Sequence, residues 1–505
     1  GLPGDMTDSG YPRRAREWKR NTPLSDAKVV YECDQTDIAA SSARYYDRGL
    51  WHELRHRSIT FYTFETNFLH AGTWKKVEVP EDVSVETFKE SFLFTLRSDW
   101  TVGDHTYAQG ALLAISIDQF FAGELGQMTV LFTPSLSQSL EGSTGTRDFL
   151  ILSVLEDVKT KIIIWEYAAG SWVDRGSESG LGMETVSLTA VESDTSNELW
   201  ITVQGYIRPT SLFLSSASEL VDGKLVSASP LKMLPSFFKA DALQVEQFFA
   251  TSLDGTKVPY FQVSMKDLKL DGSNVTLLYG YGGFEISLTP VYAAARGIAW
   301  YEQGGVWVDA NIRGGGEYGP RWHQAAKKAD RNKAYEDFEA VAEDLIRRGV
   351  TCRERLGTQG GSNGGLLMGN MLTRKGHELF GAVVCQVPLL DMRRYSKLLA
   401  GASWMGEYGD PDTDDWANFL HKYSPYQLVR DDCKYPPALF TTSTKDDRVH
   451  PGHARKMVAK LGMHPVAAAT TFYYENVEGG HGGAADNKQV AFMKTVEYSF
   501  LWKTL

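Results

Sequence analysis

The chain has 505 residues, a formal net charge of −11, 43% hydrophobic and 23% charged residues. Those proportions exclude a disordered, collagen-like or disulfide-scaffold chain. The acidic balance argues against nucleic acid as a partner, because phosphate neutralisation needs a basic surface, and no apolar run approaches the roughly 18 residues of a membrane span. The sequence opens Gly1-Leu2-Pro3-Gly4, with no Met, basic stretch or apolar stretch of a signal peptide.

Residues 1–236 are dominated by short β-type runs, at 28–31, 58–62, 92–96, 149–152, 161–165, 199–203 and 211–214. Turn pairs such as Gly103-Asp104, Ala169-Gly170 and Asp222-Gly223 punctuate them. Many short strands with turns between them predict an all-β sandwich, barrel or propeller. Cys33, Cys352, Cys385 and Cys433 are widely spaced and form no C-x-x-C pair, which fits free thiols in a reducing compartment.

From residue 237 to 505 strands alternate with helices. A hairpin is predicted from runs 247–251 and 258–263 around the turn pair Asp254-Gly255. Residues 334–348 read as an amphipathic helix, with Tyr335, Phe338, Val341, Ala342, Leu345 and Ile346 on one face and Gly349 as a stop. Apolar runs at 275–278, 382–384, 438–441 and 472–474 suit central parallel strands, and a helix closes the chain near 486–503. Such alternation predicts an α/β, doubly wound, mostly parallel sheet.

The chemistry concentrates in Gly360-Gly361-Ser362-Asn363-Gly364, a G-x-S-x-G sequence between a β-type run and an apolar helical run. That is the setting of a nucleophile elbow, where small neighbours let strand and helix approach closely and the serine Oγ projects above the sheet. A serine nucleophile needs a base and an orienting acid. Asp446-Asp447 follows one downstream strand and His481 follows the next, in Gly479-Gly480-His481-Gly482-Gly483. Gly314-Gly315-Gly316 lacks the Lys-Ser/Thr of a P-loop and reads as a loop supporting the active-site edge. His450 and His453 lack companions for a metal site, and the acidic run 410–415 lacks the Gly and Glu of a calcium loop. No metal and no cofactor are expected.

Five stretches, in order over roughly residues 240–505, resemble the prolyl oligopeptidase family of serine peptidases. They are Tyr279-Gly280-Tyr281-Gly282-Gly283-Phe284, the run 311–319 from Asn311 to Gly319, Gly361-Ser362-Asn363-Gly364-Gly365, Asp446-Asp447-Arg448-Val449 and Gly480-His481-Gly482. Asn363 after the serine resembles the prolyl oligopeptidase branch; the oligopeptidase B branch has Ala there. The resemblance implies an α/β-hydrolase domain at 237–505 and a β-propeller at 1–236. It assigns Ser362 as nucleophile, His481 as general base and acid, and Asp446 as orienting carboxylate, with Asp447 the local alternative. The Asn363 N–H and the Tyr281 hydroxyl would form the oxyanion hole. Arg448 would bind a substrate carbonyl, Trp404 would stack on a proline ring, and Phe284, Leu389, Tyr408 and Val449 would complete an apolar pocket. A compact ring without an N–H suits an aromatic wall and no buried charge.

The leading expectation is a serine endopeptidase cleaving short peptides after proline. The alternatives are a serine acyl hydrolase or peptidase of other P1 preference, or a catalytically impaired propeller–hydrolase binding protein. Short proline-containing peptides are the expected partners, with no nucleic acid and no membrane, on a monomer. The location is read as cytoplasmic, with the periplasm as the alternative. The family's propeller has seven blades; at roughly 40–50 residues per blade, 236 residues supply about five. The sequence therefore predicts a partial propeller and an N-terminally truncated chain.

Overall fold

The computed structural model describes residues 4–180, 182–226 and 229–505. The opening Gly1-Leu2-Pro3, on which the reading of the chain's start rests, lies outside them. The first half builds four four-stranded antiparallel sheets, within residues 39–76, 84–132, 138–179 and 184–233, preceded by a two-stranded ribbon, Arg14–Glu17 with Lys28–Glu32. Among the described residues the first half thus holds those four sheets, that ribbon and a second two-stranded ribbon, Trp100–Val102 with His105–Tyr107. Side chains alternate across each strand, and the sheets stack in series because of it. Phe92 and Phe94 face the first sheet's Phe68, whereas Leu93, Leu112 and Ala114 face Leu150, Leu152 and Val154 of the third. Ile151 and Ile162 of the third then meet Val186, Leu199 and Ile201 of the fourth.

One predicted strand is not there. The run 58–62 looks like a strand through Ile59 and Thr60, but the strand Leu50–Ser58 ends at its first residue. Ile59 and Thr60 donate their N–H groups to Thr63 O at 2.9 and 3.2 Å, and Tyr62 N donates to Thr60 Oγ1 at 3.3 Å. A hydroxyl that bonds nearby backbone competes with the sheet ladder, so the chain turns and carries Phe61 and Tyr62 toward the second half.

The second half is one eight-stranded sheet. Its strands are β1 (Leu243–Thr251), β2 (Lys257–Met265), β3 (Thr276–Gly280), β4 (Val306–Ala310), β5 (Leu356–Gly361), β6 (Ala382–Gln386), β7 (Ala438–Ser443) and β8 (Thr471–Asn476), in the order β1-β2-β4-β3-β5-β6-β7-β8. The β1–β2 and β2–β4 pairs are antiparallel and the rest parallel. Helices α1 (Asn332–Arg347), α2 (Asn363–Thr373) and α3 (Gly452–Gly462) cover one face, where Val308, Val383, Cys385 and Phe440 point. Helix α4 (Asn487–Thr504) covers the other with Trp300, against Trp307, Val384 and Leu439. Its start is capped by the Asp486 carboxylate, which accepts Gln489 N at 2.9 Å.

The glycine-rich run 311–319 joins the two halves. Arg313 is clamped by Asp337, at 2.6 and 2.9 Å, and by Asp254. Tyr318 donates to Asp157 at 2.9 Å, and Ser139 donates to the Glu317 carbonyl at 2.8 Å, both partners lying in the first half. The Glu317 carboxylate is buried, accepts Leu288 N at 2.9 Å and Asn311 Nδ2 at 3.1 Å through one oxygen, and leaves the other unpartnered. Burial pushes it up to about 7, against the pull of those two bonds.

Candidate active site

Strand β5 lies in the middle of the sheet, and the chain leaves it through Ser362 at φ 59°, ψ −115° before α2 begins at Asn363. A non-glycine residue there is strained. The tight turn depends on its neighbours: a Cβ on Gly360 would lie 2.5 Å from Gly364 O, and one on Gly364 would lie 2.8 Å from Gly280 O. Ser362 N donates to Gln386 O at 3.0 Å, tying the elbow to the end of β6. In the first turn of α2 Gly365 N and Leu366 N donate to Ser362 O, at 2.9 and 3.1 Å, whereas the Asn363 N–H precedes the first helical acceptor and has no partner inside the helix.

Asp446 follows β7 and is buried. Its Oδ1 accepts Arg448 N and Val449 N, each at 2.9 Å, and its Oδ2 meets His481 Nδ1 at 2.8 Å. An ionised carboxylate only accepts, so Nδ1 carries the proton and Nε2 keeps a free lone pair. Asp447 is exposed instead. His481 and Ser362 line the same cavity, of about 680 Å³.

That cavity also receives Tyr281, Phe284, Leu389, Trp404, Tyr408 and Arg448. Val449 is not among its lining residues; it is 2% exposed in the core, and its contribution at the site is the backbone bond to Asp446. Asn363 likewise lies behind the wall. Its Nδ2 donates to Tyr281 O at 2.6 Å and its Oδ1 accepts the Tyr408 hydroxyl at 2.8 Å. Burial raises the Tyr281 phenol, only partly offset by Arg331 and by its bond with Ser362, so it stays a proton donor beside the serine.

Sequence reasoning misses several contributors. Phe61 lines the cavity from the first half, edge-on to Phe284 at 5.3 Å, and Ser9 and Tyr11 border it as well. Behind the wall sits a buried polar cluster. Glu407, fully buried, accepts the Tyr62 hydroxyl at 2.6 Å, His323 Nε2 at 2.7 Å, Arg331 at 2.7 Å and Phe284 N at 3.2 Å. Burial alone would raise this carboxyl, but the His323 bond and the Arg331 charge outweigh it and hold it at about 2. Arg97 of the first half donates to His323 Nδ1 at 3.1 Å. A guanidinium cannot accept, so His323 is the Nε2–H tautomer and donates to Glu407. The one signal in the sequence was a glutamate amid apolar and aromatic residues in Trp404-Met405-Gly406-Glu407-Tyr408, a charge that burial permits only when it is paired.

Among the described residues, no group of three or more metal-type side chains occurs, and no helix is long and apolar enough to cross a membrane.

The family description "Prolyl oligopeptidase family" matches residues 293–505. The chain is 40% identical to "Uncharacterized peptidase y4nA" of Sinorhizobium fredii over 515 residues, covering 100% of this chain and 69% of that relative. It is 36% identical to the prolyl endopeptidase of Elizabethkingia miricola over 311 residues, 61% of this chain and 42% of the relative. Among solved structures, a post-proline cleaving enzyme from Rickettsia typhi superimposes with a TM-score of 0.89 at 32% identity, covering 99% of this chain and 73% of that one.

Proposed function

The chain belongs to the prolyl oligopeptidase family of serine peptidases, and from that premise we propose that it hydrolyses short peptides on the carboxyl side of proline through Ser362, His481 and Asp446. The observation that carries the reading is the Asp446–His481 contact at 2.8 Å beside the strained Ser362 elbow in one cavity. His481 Nε2 takes the Ser362 proton as Oγ attacks the scissile carbonyl, then returns it to the leaving amine. The oxyanion is met by the Asn363 N–H and the Tyr281 hydroxyl; one such donor is worth about 2.7–4 kcal/mol in the transition state. Water then cleaves the acyl-enzyme by the same steps in reverse order.

Proline preference is supported by the wall of Phe284, Leu389, Trp404 and Tyr408, which offers aromatic and apolar surface to a ring without an N–H. Arg448 lines the cavity, and we assign it the role of binding a backbone carbonyl of the substrate. We read the four stacked sheets of residues 39–233 as propeller blades and residues 237–505 as the catalytic α/β-hydrolase domain, with Phe61 reaching the cavity from the blades.

A serine-directed phosphonate tests the chemistry: it should label the wild-type chain and not Ser362→Ala. Labelling that survives the substitution refutes the triad. A chromogenic peptide series with Pro, Ala, Phe or Arg at P1 tests the specificity, and equal turnover of Pro and Ala refutes the proline pocket.

A further inference from the structure

We propose that Arg331 and Glu407 are positioning residues that lock the two oxyanion donors to one another, and that Tyr62 of the first half completes the carboxylate's shell. The proposal rests on the serine-peptidase reading above and deepens it.

The argument starts from one side-chain amide. Asn363 stands directly after the nucleophile, and its backbone N–H is one of the two donors. Its Nδ2 donates to the carbonyl of Tyr281, whose phenol is the other donor, at 2.6 Å. A single amide therefore spans the loop after β3 and the start of α2. Space reinforces the clamp, since a Cβ on Gly283 would lie 2.5 Å from Asn363 Nδ2. The amide works only in one orientation, with Oδ1 on the far side. Arg331, whose guanidinium cannot accept, enforces it, and the Tyr408 hydroxyl donates to the same oxygen at 2.8 Å.

Arg331 is itself fixed. It is 1% exposed, lies immediately before α1, and divides its guanidinium between Asn363 and Glu407. Glu407 is 0% exposed and takes Tyr62 and His323 on its other oxygen. The chain of contacts runs from the turn at residues 59–62, through Glu407, Arg331 and Asn363, to Tyr281. The links from Tyr62 through Glu407 and Arg331 to Asn363 are buried, and only the last, to the Tyr281 carbonyl, is partly so, so water does not readily replace a lost partner along the buried part. An ion pair serving only stability has no need to end on the residue after the nucleophile.

The test uses Arg331→Lys, Glu407→Gln and Tyr62→Phe in the full chain. A lysine ammonium is a point donor and cannot bridge Glu407 and Asn363 as the planar guanidinium does. Two inhibitors of the same peptide separate positioning from general packing. A peptide ending in prolinal forms a tetrahedral adduct and uses the oxyanion donors; the matching alcohol fills the pocket without them. Arg331→Lys and Glu407→Gln are expected to lower kcat by about 10–100-fold, a fraction of what deleting an oxyanion donor costs, with KM within about threefold. The aldehyde Ki should rise by the same factor and the alcohol Ki should stay put.

An unchanged kcat in Arg331→Lys overturns the proposal. So does equal weakening of both inhibitors, which marks a pocket that has merely loosened. Should these variants fail to fold, Tyr62→Phe decides, because it removes one hydroxyl and little volume; a several-fold loss confined to kcat and the aldehyde is expected, and wild-type behaviour removes the first half from the device. If the wild-type chain itself ignores the aldehyde and the phosphonate, the serine-peptidase reading fails and this proposal falls with it. If wild type responds and the variants match it, only the positioning role fails.

Discussion

Replacing Asp446 by asparagine should disable the base without disturbing the fold, and the structure says why. Asp446 Oδ1 accepts two backbone N–H groups at 2.9 Å and Oδ2 faces His481 Nδ1 at 2.8 Å. An asparagine must keep its one oxygen on the side of the two backbone donors, since its NH₂ there would oppose both. The NH₂ then occupies the place of Oδ2 and confronts the Nδ1 proton. His481 escapes by moving that proton to Nε2, which can no longer accept from Ser362. The expected loss is about 10⁴-fold in kcat, the cost of the wrong tautomer in triads of this kind, or about 5 kcal/mol of transition-state stabilisation. Asp447 is exposed and makes no bond to His481, so Asp447→Asn should change kcat by less than about threefold. The assay is release of a chromogenic amine from a Pro-P1 peptide at saturation, with thermal midpoints to show both variants folded. A loss below about 100-fold for Asp446→Asn, or a larger loss for Asp447→Asn, refutes the tautomer argument.

Two buried glutamates should give pH dependences of opposite sign. Glu407 is held at about 2 against an ordinary 4.5, so its ionisation favours the folded state above pH 4.5 and that advantage disappears as pH falls through 2. At 1.36 kcal/mol per pKa unit this is about 3 kcal/mol; urea titrations should show the stability gap between wild type and Glu407→Gln narrowing by that amount from pH 5 to 2, and a constant gap contradicts it. Glu317 is raised to about 7 by burial, so the folded chain holds a proton that the unfolded chain has lost between pH 4.5 and 7, and stability falls as pH rises through that window. Glu317→Gln should therefore gain on wild type by about 3 kcal/mol between pH 5 and 8, and a pH-independent difference in the same titrations tells against it. Trp404→Ala should lower kcat/KM for a Pro-P1 peptide by roughly tenfold or more and for an Ala-P1 peptide much less, because the lost surface matters only to the ring; parallel losses would place Trp404 outside the specificity wall.

What the sequence made legible follows from locality. The Ser362 elbow is a steric demand met by residues within a few positions, and so can be read directly. Asp446 and His481 are found because each follows a strand of a sheet whose parallel order puts those ends on one edge. The Arg331–Glu407 pair is not found, because its members are 76 positions apart and the apolar setting of Glu407 does not say which cation pairs with it. Tyr62 and Glu407 are 345 positions apart. The run 58–62 was misleading for a different reason: β-branched residues favour a strand, but bonds to Thr63 and Thr60 close a turn there. Val449 belongs to a matching motif, yet its side chain faces the core and only its N–H serves the site.

The serial stacking of the four sheets has a mechanical consequence. The seam of Phe68 and Phe92 joins the first two, that of Leu93 and Leu150 the second and third, and that of Ile151 and Ile201 the last two. Order in such an array propagates from neighbour to neighbour, as in a one-dimensional lattice. A cavity cut into one seam loosens the pair of sheets that share it and leaves the more distant seams cohesive. The turn bearing Phe61 and Tyr62 extends from the first of these sheets, so the cavity's aromatic roof is coupled to the first seam, and, because Arg48 of the same sheet donates to Asp194 Oδ1 at 2.7 Å and to Thr146 O at 2.6 Å, to the later sheets by a polar cross-tie as well.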